Sequence, residues 1–205
     1  MDIIPLPKLQ LFATCSLDKT VILWTTNGNK VEKVYREHTR GVTSLTFNEP
    51  LILLISAGYD HQICIHNPYI KTAIFKIQQH MYPILSVKVI ENTNHFVSLD
   101  SSGILKVWDF KKFTNVQTFT VETDDEMHKF YPQCLNSIPK PLKLVIGGRS
   151  LSFFEYDKNY NPTSVDDSVV VAVGYRPSNN TIVTPAGNRI KVWNALTGEV
   201  NKIFQ

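Results

Sequence analysis

The sequence predicts an all-β fold, a β-propeller with about five consecutive four-stranded blades in its 205 residues. Three observations lead there. Aromatic or imidazole rings recur at a fixed step, with Trp24, His66 and Trp108 each 42 residues apart. A shared template precedes each: a small hydroxyl residue, a polar turn four positions on, then the ring six further. It reads Thr14–Asp18–Trp24, Ser56–Asp60–His66 and Ser98–Ser102–Trp108. Trp193 follows Trp108 by 85 residues, which leaves room for two more units at a similar step. Finally, short β-branched or apolar runs alternate with turn residues, and no helical periodicity interrupts them. A period of about 40–45 residues with several short strands is the signature of propeller blades.

The elements follow in order. The first unit, within residues 1–36, is expected to be partial, its last three strands lying in 9–36. The second spans about 38–78, with strands at Val42–Phe47, Leu51–Ser56, Gln62–His66 and Ala73–Ile77. The third, 80–121, repeats this at Ile84–Ile90, His95–Leu99, Leu105–Trp108 and Val116–Val121. Breakers such as Asn48–Glu49–Pro50, Asn92–Thr93–Asn94 and Ser101–Ser102–Gly103 separate the runs. A more divergent fourth unit covers about 128–160, clearest at Lys143–Ile146 and Leu151–Tyr156. The fifth, 168–205, runs through Val169–Tyr175, Thr181–Thr184, Arg189–Trp193 and Val200–Phe204. Blades bury their faces against neighbours, so the propeller must close. Five units are few, and the rest is expected from the same longer chain or from a partner; otherwise flat faces and a strand edge would lie bare.

Composition narrows the function classes. With 43% hydrophobic residues the chain can bury an ordinary core. A net charge of +3 from 21 basic and 18 acidic residues is too balanced to imply nucleic acid or membrane partners. No apolar run approaches a membrane span, and the start MDIIPLPKLQLF lacks the basic head and cleavage site of a signal peptide. Cys15, Cys64 and Cys134 are odd in number and too widely spaced for a metal site, which suits reduced thiols in the cytoplasm. No cofactor is expected.

Several constellations invite chemistry and are better read as structure. A His–Asp–Ser set resembles a nucleophile–base relay, but a relay is one site with an oxyanion hole. Here the residues recur in register, one set per unit, which indicates networks satisfying buried polar groups. Residues 157–168 mimic a calcium loop at Asp157, Asn159 and Asn161, yet Pro162 and Ser168 replace the required Gly and Glu. Asp124, Asp125 and Glu126, with His128 nearby, read as a solvated loop, and Gly147–Gly148–Arg149–Ser150 as a tight turn lacking the phosphate-loop lysine. Lys106, Lys111, Lys112 and Lys140 have no interleaved aromatic platform for RNA.

The repeat resembles the WD40 family, in which a His, a Ser or Thr, a turn Asp and a Trp form a hydrogen-bonded tetrad. The resemblance implies a structural role for Thr14, Asp18 and Trp24; for His38, Ser56 and Asp60, with His66 in the tryptophan place; for His80, Ser98 and Trp108; and for Trp193. His38 to Asp60 and His80 to Ser102 are both 22 residues. Departures are Ser102 where the Asp should be, Gly187 at that place before Trp193, and only Ser150, Tyr156 and Asp157 in the fourth unit. The stretches AGYDHQICIHNPYI, VKVIENTNHFVSLDSSGILKVWDFKKFTNVQTF, GGRSLSFFEYD and GNRIKVWNALTGEV further resemble large ciliary WD-repeat proteins that also carry EF-hands. That resemblance implies a non-catalytic scaffold in an axonemal complex of the cilium or flagellum, partnered by other subunits. The alternative is a soluble adaptor binding a peptide or phosphopeptide, in signalling or ubiquitin transfer. In the family, Leu17, Tyr59, Ser101, Arg40 and Tyr82 would stand on the top face, and Arg40, Tyr59 and Tyr82 are the candidate partner contacts.

Overall fold

The computed structural model describes residues 1–28, 30–121, 132–139, 142–148, 151–155, 163–166 and 169–204. They form five four-stranded antiparallel sheets, each a meander in chain order. The first holds β1 (Asp2–Leu6), β2 (Leu11–Cys15), β3 (Val21–Thr25) and β4 (Val31–Tyr35). The second holds β5 (Val42–Asn48), β6 (Leu53–Gly58), β7 (Ile63–His66) and β8 (Ala73–Ile77). The third holds β9 (Ile84–Ile90), β10 (His95–Asp100), β11 (Ile104–Asp109) and β12 (Asn115–Thr120). The fourth holds β13 (Cys134–Pro139), β14 (Leu142–Gly147), β15 (Leu151–Glu155) and β16 (Thr163–Asp166). The fifth holds β17 (Gly174–Arg176), β18 (Thr181–Ala186), β19 (Arg189–Asn194) and β20 (Val200–Phe204).

Two expectations need correction. The first sheet is not short of a strand: β1 pairs with β2 from Asp2↔Cys15 to Leu6↔Leu11. Pro5 and Pro7 disguise it, but Pro5 sits in a strand at the end of its sheet, where a missing N–H is tolerated. The run Val169–Tyr175 is not one strand either; only Gly174–Arg176 pairs with β18. Val170 instead donates its N–H to the Gly148 carbonyl at 2.6 Å and is fully buried, so this one residue joins the core of the fourth sheet while Val169 and Val171 stay exposed.

Two compact units divide the chain, the first comprising Met1–Val89, Asn94–Asp100 and Lys106–Gln117. Within it, alternation along each strand gives every sheet two faces. One face of the first sheet carries Ala13, Cys15, Val21, Leu23 and Tyr35, and it is buried against Leu45 and Leu54 of the second. The same register positions in the second sheet are Ile55, Ala57, Ile63, Ile65 and Ile77, buried against Ile84, Phe96 and Trp108 of the third. In the second unit, Val145, Leu151 and Phe153 of the fourth sheet pack on Ile182 and Trp193 of the fifth. Each fully buried aliphatic side chain contributes roughly 1.5–3 kcal/mol of transfer free energy.

Candidate functional site

A register shift between the third and fourth strands falls just before each ring residue, at Leu23/Trp24, Ile65/His66 and Val192/Trp193. Such bulges re-aim a side chain. They present Trp24 to Thr14, His66 to Ser56 and Trp193 to Thr184, each hydroxyl lying on the neighbouring second strand. Trp24 Nε1 donates to Thr14 Oγ1 at 2.9 Å, and Trp193 Nε1 donates to Thr184 Oγ1 at 2.8 Å. In the third sheet Trp108 Nε1 donates to Ser98 Oγ at 2.7 Å.

The second sheet extends this pair into a four-residue chain. His38 Nδ1 faces both oxygens of Asp60 at 3.0 and 2.9 Å, and His38 Nε2 meets Ser56 Oγ at 2.8 Å. Ser56 Oγ also meets His66 Nε2 at 2.8 Å. Asp60 receives the backbone N–H groups of Thr39 at 2.9 Å and Gln62 at 3.3 Å. Burial alone would raise the Asp60 carboxyl, but the hydrogen bond and charge of His38 with these two N–H donors hold it below its ordinary value. An ionised Asp60 accepts from His38 Nδ1–H, and Ser56 Oγ lies between His38 Nε2 and His66 Nε2. His66 Nδ1 is buried with no hydrogen-bond partner. Burial first, then the positive neighbours His38 and Lys76, push the His66 pKa down to about 3, so it is neutral.

The third sheet builds the same chain with a different acid. His80 Nε2 meets Ser98 Oγ at 2.6 Å, and His80 Nδ1 meets Asp100 Oδ2 at 2.9 Å. The carboxylate therefore comes from Asp100 on β10, and not from the turn position of Ser102. Asp100 lies two residues beyond Ser98, so strand alternation puts both on one face. That spacing was the available signal. The first sheet is simpler: Asp18 does not join Thr14 and Trp24, but accepts from the Thr20 N–H at 3.0 Å and Thr20 Oγ1 at 2.6 Å. Those two bonds lower its pKa. In the fourth sheet Phe154 takes the register position opposite Leu144 that Trp24, His66 and Trp193 take in theirs. Tyr156, Asp157 and Ser150 lie outside the described residues, as do Asp124–Glu126, His128, Lys140 and the calcium-like loop except for β16.

Tyr35 explains why a smaller ring fits in the second sheet. Its ring packs 4.4 Å from His66, and its hydroxyl donates to the carbonyls of Asn67 and Ile70, both at 3.1 Å. The same register position in the second sheet is Ile77, beneath the larger Trp108. A large residue on one sheet thus compensates for a small ring on the next. Burial also pushes the Cys15 and Cys64 thiols up, to about 11 and about 12, so both stay protonated.

Of the candidate partner contacts, Arg40 and Tyr59 meet at the turn of Gly41. An added Cβ on Gly41 would lie 2.8 Å from the Leu17 side chain, and Tyr59 donates its N–H to the Gly41 carbonyl at 2.9 Å. Leu17, Arg40 and Tyr59 are thereby drawn into adjoining turns. Arg40 is exposed, Tyr59 is partly so, and Tyr82, two residues after His80, is half exposed.

Comparison with known proteins fits this geometry. The model for "WD domain, G-beta repeat" matches residues 2–25 and 29–67. The chain is 58% identical over 204 residues to "Cilia- and flagella-associated protein 337 B" of Tetrahymena thermophila, covering 100% of this chain and 16% of that relative. It is 29% identical over 125 residues to "COMPASS component SWD3" of Saccharomyces cerevisiae, covering 56% of this chain and 39% of that relative. The chain therefore spans well under half the length of either relative. With five antiparallel four-stranded sheets, a hydroxyl-to-ring bond recurring in four of them, and a repeat model matching residues 2–25 and 29–67, the chain carries WD40 repeats.

Proposed function

We propose that this chain is a non-catalytic protein-interaction segment of a structural assembly in the ciliary or flagellar axoneme. One observation carries the reading: identity of 58% extends over the whole chain to a cilia- and flagella-associated protein. The buried chemistry supports it. The histidines, serines and aspartates that could form a relay are consumed in networks repeated between sheets, where they satisfy one another. The turn residues remain available, and Arg40, Tyr59 and Tyr82 supply the mixture of area and polar handles that anchors protein interfaces.

Fractionation of cilia from the source organism tests this. An antibody to the chain should detect it in the detergent-extracted axoneme. A signal confined to the soluble fraction would overturn the axonemal reading and leave the adaptor. Joint replacement of Arg40, Tyr59 and Tyr82 by alanine should weaken axonemal retention without lowering the melting temperature. Undiminished retention would remove these residues from the interface.

A further inference from the structure

The turns that join the third strand of a sheet to its fourth share one construction, from which the first sheet departs. In the second, third and fifth sheets the residue after the ring is Asn67, Asp109 or Asn194, and its side chain closes the turn. Asn67 Oδ1 accepts the Tyr69 N–H at 2.9 Å. Asp109 Oδ1 accepts those of Lys111 and Lys112 at 2.7 and 2.8 Å, and Asn194 Oδ1 those of Leu196 and Thr197 at 2.8 and 3.3 Å. The first sheet has Thr25 at that place. Thr25 Oγ1 accepts the Lys30 N–H at 3.1 Å, while Thr26 donates its N–H and its hydroxyl to the Gln10 carbonyl at 3.0 and 2.9 Å. The base of this turn is tied without an asparagine, and Asn27 is left toward its tip.

Gly28 follows Asn27, and this is the one Asn–Gly step in the 205 residues. Both residues are exposed, and neither has a hydrogen-bond partner among the described residues. Gly28 has a φ of 104°, and a Cβ built on it would meet nothing within 4 Å. No side chain of its own screens its amide nitrogen, and its backbone keeps the freedom peculiar to glycine. The two asparagines that close the other turns lack this arrangement. Pro68, after Asn67, has no N–H to offer. The Ala195 N–H, after Asn194, is held by the Asn180 carbonyl at 3.0 Å.

We infer that Asn27 is a site of spontaneous deamidation, converted through the Gly28 amide into aspartate and isoaspartate. Hydroxide removes the Gly28 amide proton, and the nitrogen attacks Asn27 Cγ. Attack by a group on the adjacent residue is intramolecular, which favours it over attack by water. The new N–C bond closes a five-membered succinimide. The bond from Cγ to the carboxamide nitrogen breaks, and that nitrogen takes a proton from water and leaves as ammonia, which restores the hydroxide. One water then opens the ring. Opening at Cγ leaves aspartate; opening at the Asn27 main-chain carbonyl leaves isoaspartate, whose main chain runs through the side-chain carbon. Carboxamide and water thus become carboxylate and ammonia, with no change of oxidation state. The product places a carboxylate on the groove that Asn27 lines together with Lys8, Leu11, Glu32 and Tyr69. The inference rests on the turn alone and not on the ciliary assignment, so the two fail separately.

The test incubates the purified full-length polypeptide, folded, at mildly acidic and mildly alkaline pH. Protease digestion and mass spectrometry then read each asparagine, with fragment ions separating Asn27 from Asn29 in the tryptic peptide 20–30. Transfer of a labelled methyl group by an isoaspartyl methyltransferase marks isoaspartate. Asn27 should convert at least about tenfold faster than Asn67 or Asn194, faster still at the higher pH, with isoaspartate among the products. Equal rates at the three positions would overturn the inference. Conversion at position 27 that becomes fast only after urea unfolding would overturn it as well, because the folded turn would then be protecting the site. Gly28→Ala should slow the conversion at position 27 by a similar factor, and an unchanged rate would remove the Gly28 amide from the nucleophile's role and sink the proposal.

Discussion

Acidification should destabilise this protein through His66 in particular. The imidazole is fully buried, its Nδ1 lacks a hydrogen-bond partner, and its folded pKa is about 3 against an ordinary 6.5. The folded pKa is depressed, so below pH 6.5 the unfolded chain takes up a proton that the folded chain refuses. The stabilisation is complete above 6.5 and falls away as the pH drops toward 3. Each pH unit in that window costs about 1.4 kcal/mol, so moving from pH 7 to pH 5 costs about 2 kcal/mol from this residue. His66→Phe removes the titration and keeps a ring against Tyr35. It also removes the hydrogen bond into Ser56 Oγ, a loss of about 1 kcal/mol that is the same at every pH. Urea unfolding of both proteins, followed by circular dichroism at pH 7, 6 and 5, measures the difference. The stability gap between wild type and variant should shift toward the variant by about 2 kcal/mol between pH 7 and pH 5. Parallel pH profiles would refute the account of a neutral His66.

Three further outcomes test the networks. Asp60→Ala leaves the His38 Nδ1–H and Thr39 N–H groups without an acceptor, and should lower stability by about 1–3 kcal/mol; an unchanged thermal transition would show that the carboxylate is dispensable. Asp100→Ala should cost a similar amount, while Ser102→Ala, at an exposed turn position, should stay within about 0.5 kcal/mol; the reverse order in denaturant melts would restore Ser102 to the acid's place. His66→Trp should destabilise by overpacking against Tyr35, and Tyr35→Ile should recover part of the loss; a double-mutant cycle of chemical denaturation with strictly additive effects would refute the size compensation.

The sequence exposed the parts of the fold that depend on local periodicity. The step of 42 residues placed Trp24, His66 and Trp108 correctly because each ring must lie beside a hydroxyl ten residues earlier on the preceding strand. Asp100 escaped because the template counted four residues from hydroxyl to acid through the turn, whereas a carboxylate two residues along the strand reaches the same histidine. The first strand escaped because Pro5 within it and Pro7 just after it interrupt the apolar run, although an end strand needs fewer N–H donors. Tyr35 could not be read at all: its role depends on the next sheet's ring, a contact made across sheets and not within the local pattern. Phe154 was hidden for a related reason, since its register is set by pairing with β14 rather than by a fixed count from Trp108.

The turns leading into the second strands carry a last consequence. Gln10, Ile52 and Asn180 each close a three-residue bend with left-handed backbone, at φ of 54°, 54° and 51°. Asparagine adopts that conformation readily, but a β-branched side chain is strained there by roughly 1–2 kcal/mol. Ile52 therefore marks a site where the chain departs from its best local choice, and Asn180 shows which residue the same bend accepts. Ile52→Asn offers a way to engineer a sturdier host protein. In such a background the costly network variants would remain folded long enough for their binding behaviour to be dissected apart from their stability.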